Sequence, residues 1–358
     1  MTNSGIQSHS NSSALTLAAY LIIIGIAMYA SSIITPILLA LFITIVCAQP
    51  IRWLEKRRVP NGIAVLIILL VILLFFFGMA ELIGRSVSQF SKDVPLYEAR
   101  LSELTTGLFN TLHSMGFEIS IDKMENMINP SKIMNFTAGF LSALGSIMGN
   151  MILILFIIIF MLLELNSFSV KVNAIIKTSV GSVSYFKRID KSIRQYLGLM
   201  TIMSLLTGVL VWIALTIIGV KYAILWALLA FVLNFIPNIG SIIASIPAII
   251  FALIQIGGGA ALWTLGSYVA INMTIGSIIQ PQIMGKGLGL STLVVFISLI
   301  FWGFVFGTIG MFLSVPLTMV VKIILEQKES TKWIAIMLGT EKEAQVIVEH
   351  NKSQLDNS

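Results

Sequence analysis

Residues 222–285 read YAILWALLAFVLNFIPNIGSIIASIPAIIFALIQIGGGAALWTLGSYVAINMTIGSIIQPQIMG, with no Asp, Glu, Lys or Arg among them. Beyond Lys286 the chain stays free of charge until Lys322. A water-soluble domain needs charged groups over its outside and cannot be surfaced this way. One membrane-spanning helix takes about 20 apolar residues, so the run is far too long for a single crossing. The sequence therefore predicts an all-α, polytopic integral membrane protein with about eight membrane segments. Its function is to be sought in the polar and helix-breaking residues inside those runs.

Two breaks organise this half. Asn234-Phe-Ile-Pro-Asn-Ile-Gly240 interrupts the first run, and the apolar sequence resumes at Ser241 and reaches Gln255 before Gly257-Gly258-Gly259. Each limb, at about 21–24 Å as helix, falls short of a hydrocarbon core of about 30 Å. Leu290 to Phe306, Gly307-Thr-Ile-Gly310 and Met311 to Lys322 repeat the arrangement. Both pairs carry Ile-Gly followed by a proline, Pro247 in one and Pro316 in the other, at spacings that differ by one residue. Such pairs either cross with local thinning or re-enter with the tip buried in protein. If both re-enter, the crossing between them, Ala260 to Ile279, makes them enter from opposite sides. Charge counting leaves the choice open, because either kind of hairpin returns the chain to its starting side.

Working towards the N-terminus, further spans are read at Ala14–Ala30, Ile33–Gln49, the stretch after Gly62 to Ala80, Gly149–Leu163 and Tyr196–Gly219. The first two share a run without charge, parted at Ser31-Ser32 and Thr35-Pro36, and a tight hairpin is the economical reading. Residues 1–13 hold no Lys or Arg, so no secretory signal is expected and the first helix is read as retained. Arg52, Lys56, Arg57 and Arg58 face one acid, Glu55. Segment 164–195 holds Lys171, Lys177, Lys187, Arg188, Lys191 and Arg194 against Glu164 and Asp190. The positive-inside rule puts both segments, and both termini, in the cytoplasm, and the more acidic region 81–148 outside. The expected divisions are 1–80, an N-terminal membrane region; 81–148, an extracytoplasmic amphipathic helical region; 149–220, the fourth and fifth spans; 221–325, an uncharged core; and 326–358, a polar tail.

Composition agrees: 57% hydrophobic, 11% charged, mean hydropathy +0.97. The net charge of +6 is read as topology, so no nucleic-acid partner is expected. Cys47 is the sole cysteine, and the three histidines (His9, His113 and His350) have no metal-ligand spacing, so no metal or cofactor is expected. No nucleophile-base constellation lies in the apolar half, which argues against an enzyme. Amides are costly in hydrocarbon unless hydrogen-bonded. Asn234, Asn238, Asn272, Gln280 and Gln282 are therefore the candidate substrate-binding residues, with Pro237, Gly240, Pro281, Gly285 and Gly310 as the backbone breaks around them. Uncharged donors and acceptors suit a small neutral hydroxylated ligand. No Asp or Glu occurs between Asp190 and Glu326, so a proton or cation relay has no evident carrier. A non-transporting scaffold built on 81–148 or 164–195 remains an alternative.

The Asn234–Gly240 string, the segment Pro281-Gln-Ile-Met-Gly-Lys-Gly-Leu-Gly-Leu-Ser-Thr-Leu293, and the Gly303/Gly307/Gly310/Pro316 pattern together resemble the autoinducer-2 exporter family. The resemblance extends over nearly all the chain. It implies a bacterial inner-membrane permease with roughly eight spans that exports the furanone-type signal autoinducer-2. It also implies a homo-oligomer, with a pentamer the expected form, embedded in membrane lipid. Some members are described as sodium/proton antiporters. The resemblance also implies that close relatives can carry an acidic residue at the position of Gln280 and a basic one at that of Gln282, so the two amides here count against ion coupling.

Overall fold

The computed structural model describes residues 18–19, 22–115, 139, 151–178, 183–237, 239–280, 289–341, 343–346 and 348–349. Among these the regular structure is helical. In chain order the elements are α1 (Ser31–Lys56), α2 (Asn61–Ser114), α3 (Met151–Thr178) and α4 (Val183–Ile218). There follow α5 (Ala223–Leu233), α6 (Gly240–Gln255), α7 (Gly258–Asn272) and a π-helix (Met273–Ile279). The last two are α8 (Thr292–Leu325) and α9 (Glu329–Leu338).

Among the described residues five stretches are long and apolar enough to cross a membrane, and between 17% and 33% of each apolar window is buried. The remaining apolar side chains, such as Leu66, Leu70 and Phe77 on α2, face outward. In water that arrangement would be a large exposed apolar surface; in lipid it is the ordinary solvated face. Of the division read at Ser31-Ser32 and Thr35-Pro36, the interruption falls at Ala30, between helical residues 22–29 and α1, and α1 runs through Thr35-Pro36 unbroken. The helix that holds the third span continues past Ala80: α2 runs on to Ser114 as one helix of 54 residues, about 80 Å at 1.5 Å per residue.

The chain divides into two compact units. One comprises Met1–Ile45, Ile154–Tyr196 and Lys286–Ser358; the other comprises Val46–Leu153 and Leu197–Gly285. In the second unit α5 and α6 form a hairpin that packs on α2, and α7 packs on α6. Its core centres on Phe251, whose ring lies 5.1–6.0 Å from those of Phe90, Tyr97, Tyr222 and Trp226. In the first unit Thr44 on α1 meets the Met161 sulfur on α3 at 3.8 Å.

Although continuous in sequence, α8 is a folded pair. Gly307 has φ 64° and ψ −149°, a non-helical conformation reserved for glycine. Beyond it the chain turns back, for Trp302 Nε1 donates to Thr318 Oγ1 at 3.0 Å. In a straight helix those two residues would stand about 24 Å apart. The short-limb hairpin expected around Gly307 is thus present, and Thr292–Leu325 is not one crossing.

Candidate functional site

The α5–α6 hairpin is built on two glycines. A Cβ on Gly240, the first residue of α6, would lie 1.7 Å from the Leu233 carbonyl oxygen, so only glycine lets the returning limb start there. A Cβ on Gly208 of α4 would lie 3.0 Å from Phe231 Cβ and 3.1 Å from the Ala227 carbonyl, so α4 yields room for α5. At the other end Gln255 closes the hairpin: its Oε1 accepts from the Lys221 amide at 2.8 Å, and its Nε2 donates to the Gly219 carbonyl at 3.2 Å. Lys221 Nζ in turn stands 3.7 Å from Asp93, which accepts from the Tyr97 hydroxyl at 3.1 Å.

Two neighbouring helices act as rulers for the tip. Asn234 Nδ2 donates to Ser204 Oγ at 3.1 Å, and Ser204 lies 14 residues, about 21 Å, before the end of α4. The Phe231 ring is 6.5 Å from that of Phe75, which is 14 residues, about 21 Å, into α2. The tip thus lies near the middle of α4 and about a quarter of the way along α2, both of them long enough to span. Within its unit the hairpin goes part of the way and returns.

The tip carries donors and acceptors without charge. Asn234 caps α5, and Pro237 sits half-buried in the turn. Ile239, the N-cap of α6, offers no side-chain acceptor, and the turn is closed by backbone instead: the Ile239 amide donates to the Pro237 carbonyl at 2.7 Å and the Gly240 amide to the Ile236 carbonyl at 3.1 Å. Gln280, which follows the π-helix, brings Nε2 to 4.0 Å from the Met200 sulfur. Met200 and Ser204 are one turn apart on the same face of α4, about 6 Å. Asn234 and Gln280, distant in sequence, therefore converge on one helical turn. A π-helix widens the backbone spiral and recurs at functional sites.

The other sequence candidates fall as follows. Asn272 is half-buried at the end of α7, about 12 Å along the helix from Gln280. Gly310 belongs to α8 in the other unit, where a Cβ would lie 1.9 Å from the Trp302 carbonyl oxygen. Asn238, Pro281, Gln282 and Gly285 lie outside the described residues. The sequence reading missed Ser204 and Met200. Ser204 and Gly208 form a small-xxx-small pair inside an apolar span, a signal of close helix packing that marks this face.

A cluster of charges also went unnoticed. Lys322 is 6% exposed; its Nζ donates to the Gly289 carbonyl and lies 2.5 Å from Glu343 and 3.7 Å from Glu326. Arg188 lies 2.7 Å from Glu326. The charges alternate in sign and each acid has a cation beside it, so the cluster clasps the base of the α8 hairpin. Ser291 adds an amide donated to the Leu338 carbonyl at 3.1 Å.

Comparison with known proteins agrees with this architecture. Residues 17–330 match the model of the AI-2E family transporters. A Haemophilus influenzae protein provisionally named for transport is 41% identical over 91% of this chain and 95% of its own length. The AI-2 transport protein TqsA of Escherichia coli is 37% identical over 91% of this chain and 94% of its own. YhhT of Escherichia coli, also provisionally named for transport, is 33% identical over 91% and 93%. With a broken-helix hairpin in each unit and these matches along nearly its whole length, the chain belongs to the AI-2E transporter family.

Proposed function

We propose that this multi-pass membrane protein exports a small, neutral, hydroxylated signal, autoinducer-2, by facilitated or weakly coupled flux. The observation that carries the reading is the uncharged hairpin tip, where Asn234 and Gln280 meet one turn of α4. A hydroxylated solute entering hydrocarbon loses its bonds to water, and amide donors and acceptors replace them without creating a charge that would need neutralising. The name of TqsA supplies the substrate class, and the neutral tip supports it. The setting we infer is a bacterial inner membrane with both termini in the cytoplasm, on the strength of the basic segments 52–58 and 164–195. A homo-oligomer, pentameric by family resemblance, is part of the same proposal.

The test is uptake of labelled autoinducer-2 into liposomes holding the purified protein, with and without imposed proton and sodium gradients. Equilibrating flux that ignores both gradients is expected; accumulation only under a gradient would overturn the facilitated mechanism. Asn234→Ala should lower flux about tenfold, the worth of one or two hydrogen bonds, with assembly intact. Equal losses of flux and assembly would reduce Asn234 to a strut against Ser204.

A further inference from the structure

Helix α7, with the π-helix that continues it, is the least apolar of the five long stretches, and its burial pattern is inverted. The outward residues are Leu262, Trp263, Leu265 and Val269, each between 44% and 73% exposed. The buried residues are Ala260, Thr264 and Tyr268, one above another at four-residue spacing. Thr264 is 0% and Tyr268 2% exposed, yet neither hydroxyl has a hydrogen-bond partner among the described residues. Buried hydroxyls are satisfied in the great majority of cases, because an unmade bond costs more than a made one gains. Thr264 is also unlike its peers. Thr201, Thr207, Thr216 and Thr274 each donate to the carbonyl four residues back, whereas Thr264 forgoes that bond. A spanning helix that turns apolar residues to lipid and unpaired hydroxyls inward is expected where a polar guest passes.

We infer that Thr264 and Tyr268 form a binding position for the transported hydroxylated solute, continued along the same face by Asn272. The inference rests on the transport reading and adds a second polar station to it, separate from the hairpin tip. Tyr268 lies about 15 Å into α7, and Gln280 about 18 Å further on. A solute with several hydroxyls offers each of these groups both a donor and an acceptor, which a carboxylate or a cation does not.

The experiment uses the full-length protein, the variants Tyr268→Phe and Thr264→Val, and labelled autoinducer-2 as probe. Each substitution removes one unpartnered hydroxyl and little else, so thermal stability should hold or rise. Equilibrium binding and half-saturation of flux should both weaken by about five- to tenfold for either variant, as for one lost hydrogen bond. Thr264→Ser should restore wild-type values, and Trp263→Leu on the outward face should leave them unchanged. Variants that bind and carry like wild type would show the hydroxyls to be served by water alone, overturning this position while the transport reading stands. Wild-type protein that binds but does not carry, with binding weakened in the variants, would overturn the transport reading and keep the position. Neither binding nor flux in wild type would overturn both.

Discussion

The α5–α6 hairpin and the folded α8 hairpin solve one backbone problem with different chemistry. Each starts after a glycine with positive φ, Gly219 at 87° and Gly289 at 67°, and each returns on a glycine pressed against a carbonyl of the first limb. The same spacing separates Gly219 from Gly240 and Gly289 from Gly310. Each is closed at its base by a side chain from the far limb that donates to the carbonyl of that first glycine. There the likeness stops. The first hairpin breaks at a proline and is clasped by the neutral amide of Gln255. The second breaks at a left-handed glycine and is clasped by a buried lysine among glutamates. The conserved part is geometric, set by how closely two limbs must approach. The differing part is electrostatic, so the two clasps should respond differently to salt.

The geometric part gives the largest expected effect. Gly240→Ala and Gly310→Ala each drive a methyl group into backbone, which cannot move aside as a side-chain tip can. Each should cost more than about 3 kcal/mol and abolish both flux and the folded peak in size-exclusion chromatography. One hairpin tolerating alanine while the other does not would break the equivalence.

The clasps come next. Lys322→Met leaves Glu343 and Glu326 without their shared cation and the Gly289 carbonyl without its donor. Because Glu343 is 42% exposed, water recovers part of the loss, and about 1–3 kcal/mol is expected. Gln255→Leu removes two bonds at a more exposed base and should cost about 1 kcal/mol. Thermal melts at low and high salt sharpen the contrast: the stability gap between wild type and Lys322→Met should narrow as salt rises, and that for Gln255→Leu should not. A salt-independent gap at Lys322 would mean that its packing, and not its charge, closes the hairpin.

The breaks themselves should differ least. Gly307→Ala places a Cβ in a conformation nearly confined to glycine and should cost about 1–3 kcal/mol. Pro237→Ala keeps a permitted conformation and should cost less than about 1 kcal/mol, chiefly through a freer unfolded chain. Denaturation in detergent would order the two, and a larger loss at Pro237 would reverse the assignment.

Much of the fold was legible because hydrophobic transfer is a local property: a run such as 222–285 declares its solvent whatever surrounds it. The breaks were legible for a related reason. Proline lacks an N–H and glycine lacks a Cβ, and both constraints act within a turn of chain. Asn234 and Gln280 were legible as polar residues in the wrong solvent. Their convergence was not, since nothing near either residue points to Ser204 or Met200. Lys322 was legible only as the end of an uncharged run, because two of its partners, the Gly289 carbonyl and Glu343, lie 33 and 21 residues away along the chain.

The sequence by itself determined that this chain lives in a membrane, that its C-terminal half is made of broken helices, and where those breaks fall. The tertiary structure alone decided how far the α5–α6 hairpin reaches along its neighbours, which amides share a turn of α4, and that α7 turns its hydroxyls inward. The division has a physical cause. In water the hydrophobic effect writes the buried face of a helix into its sequence, but in lipid both faces are apolar. Packing against other helices then chooses the inner one.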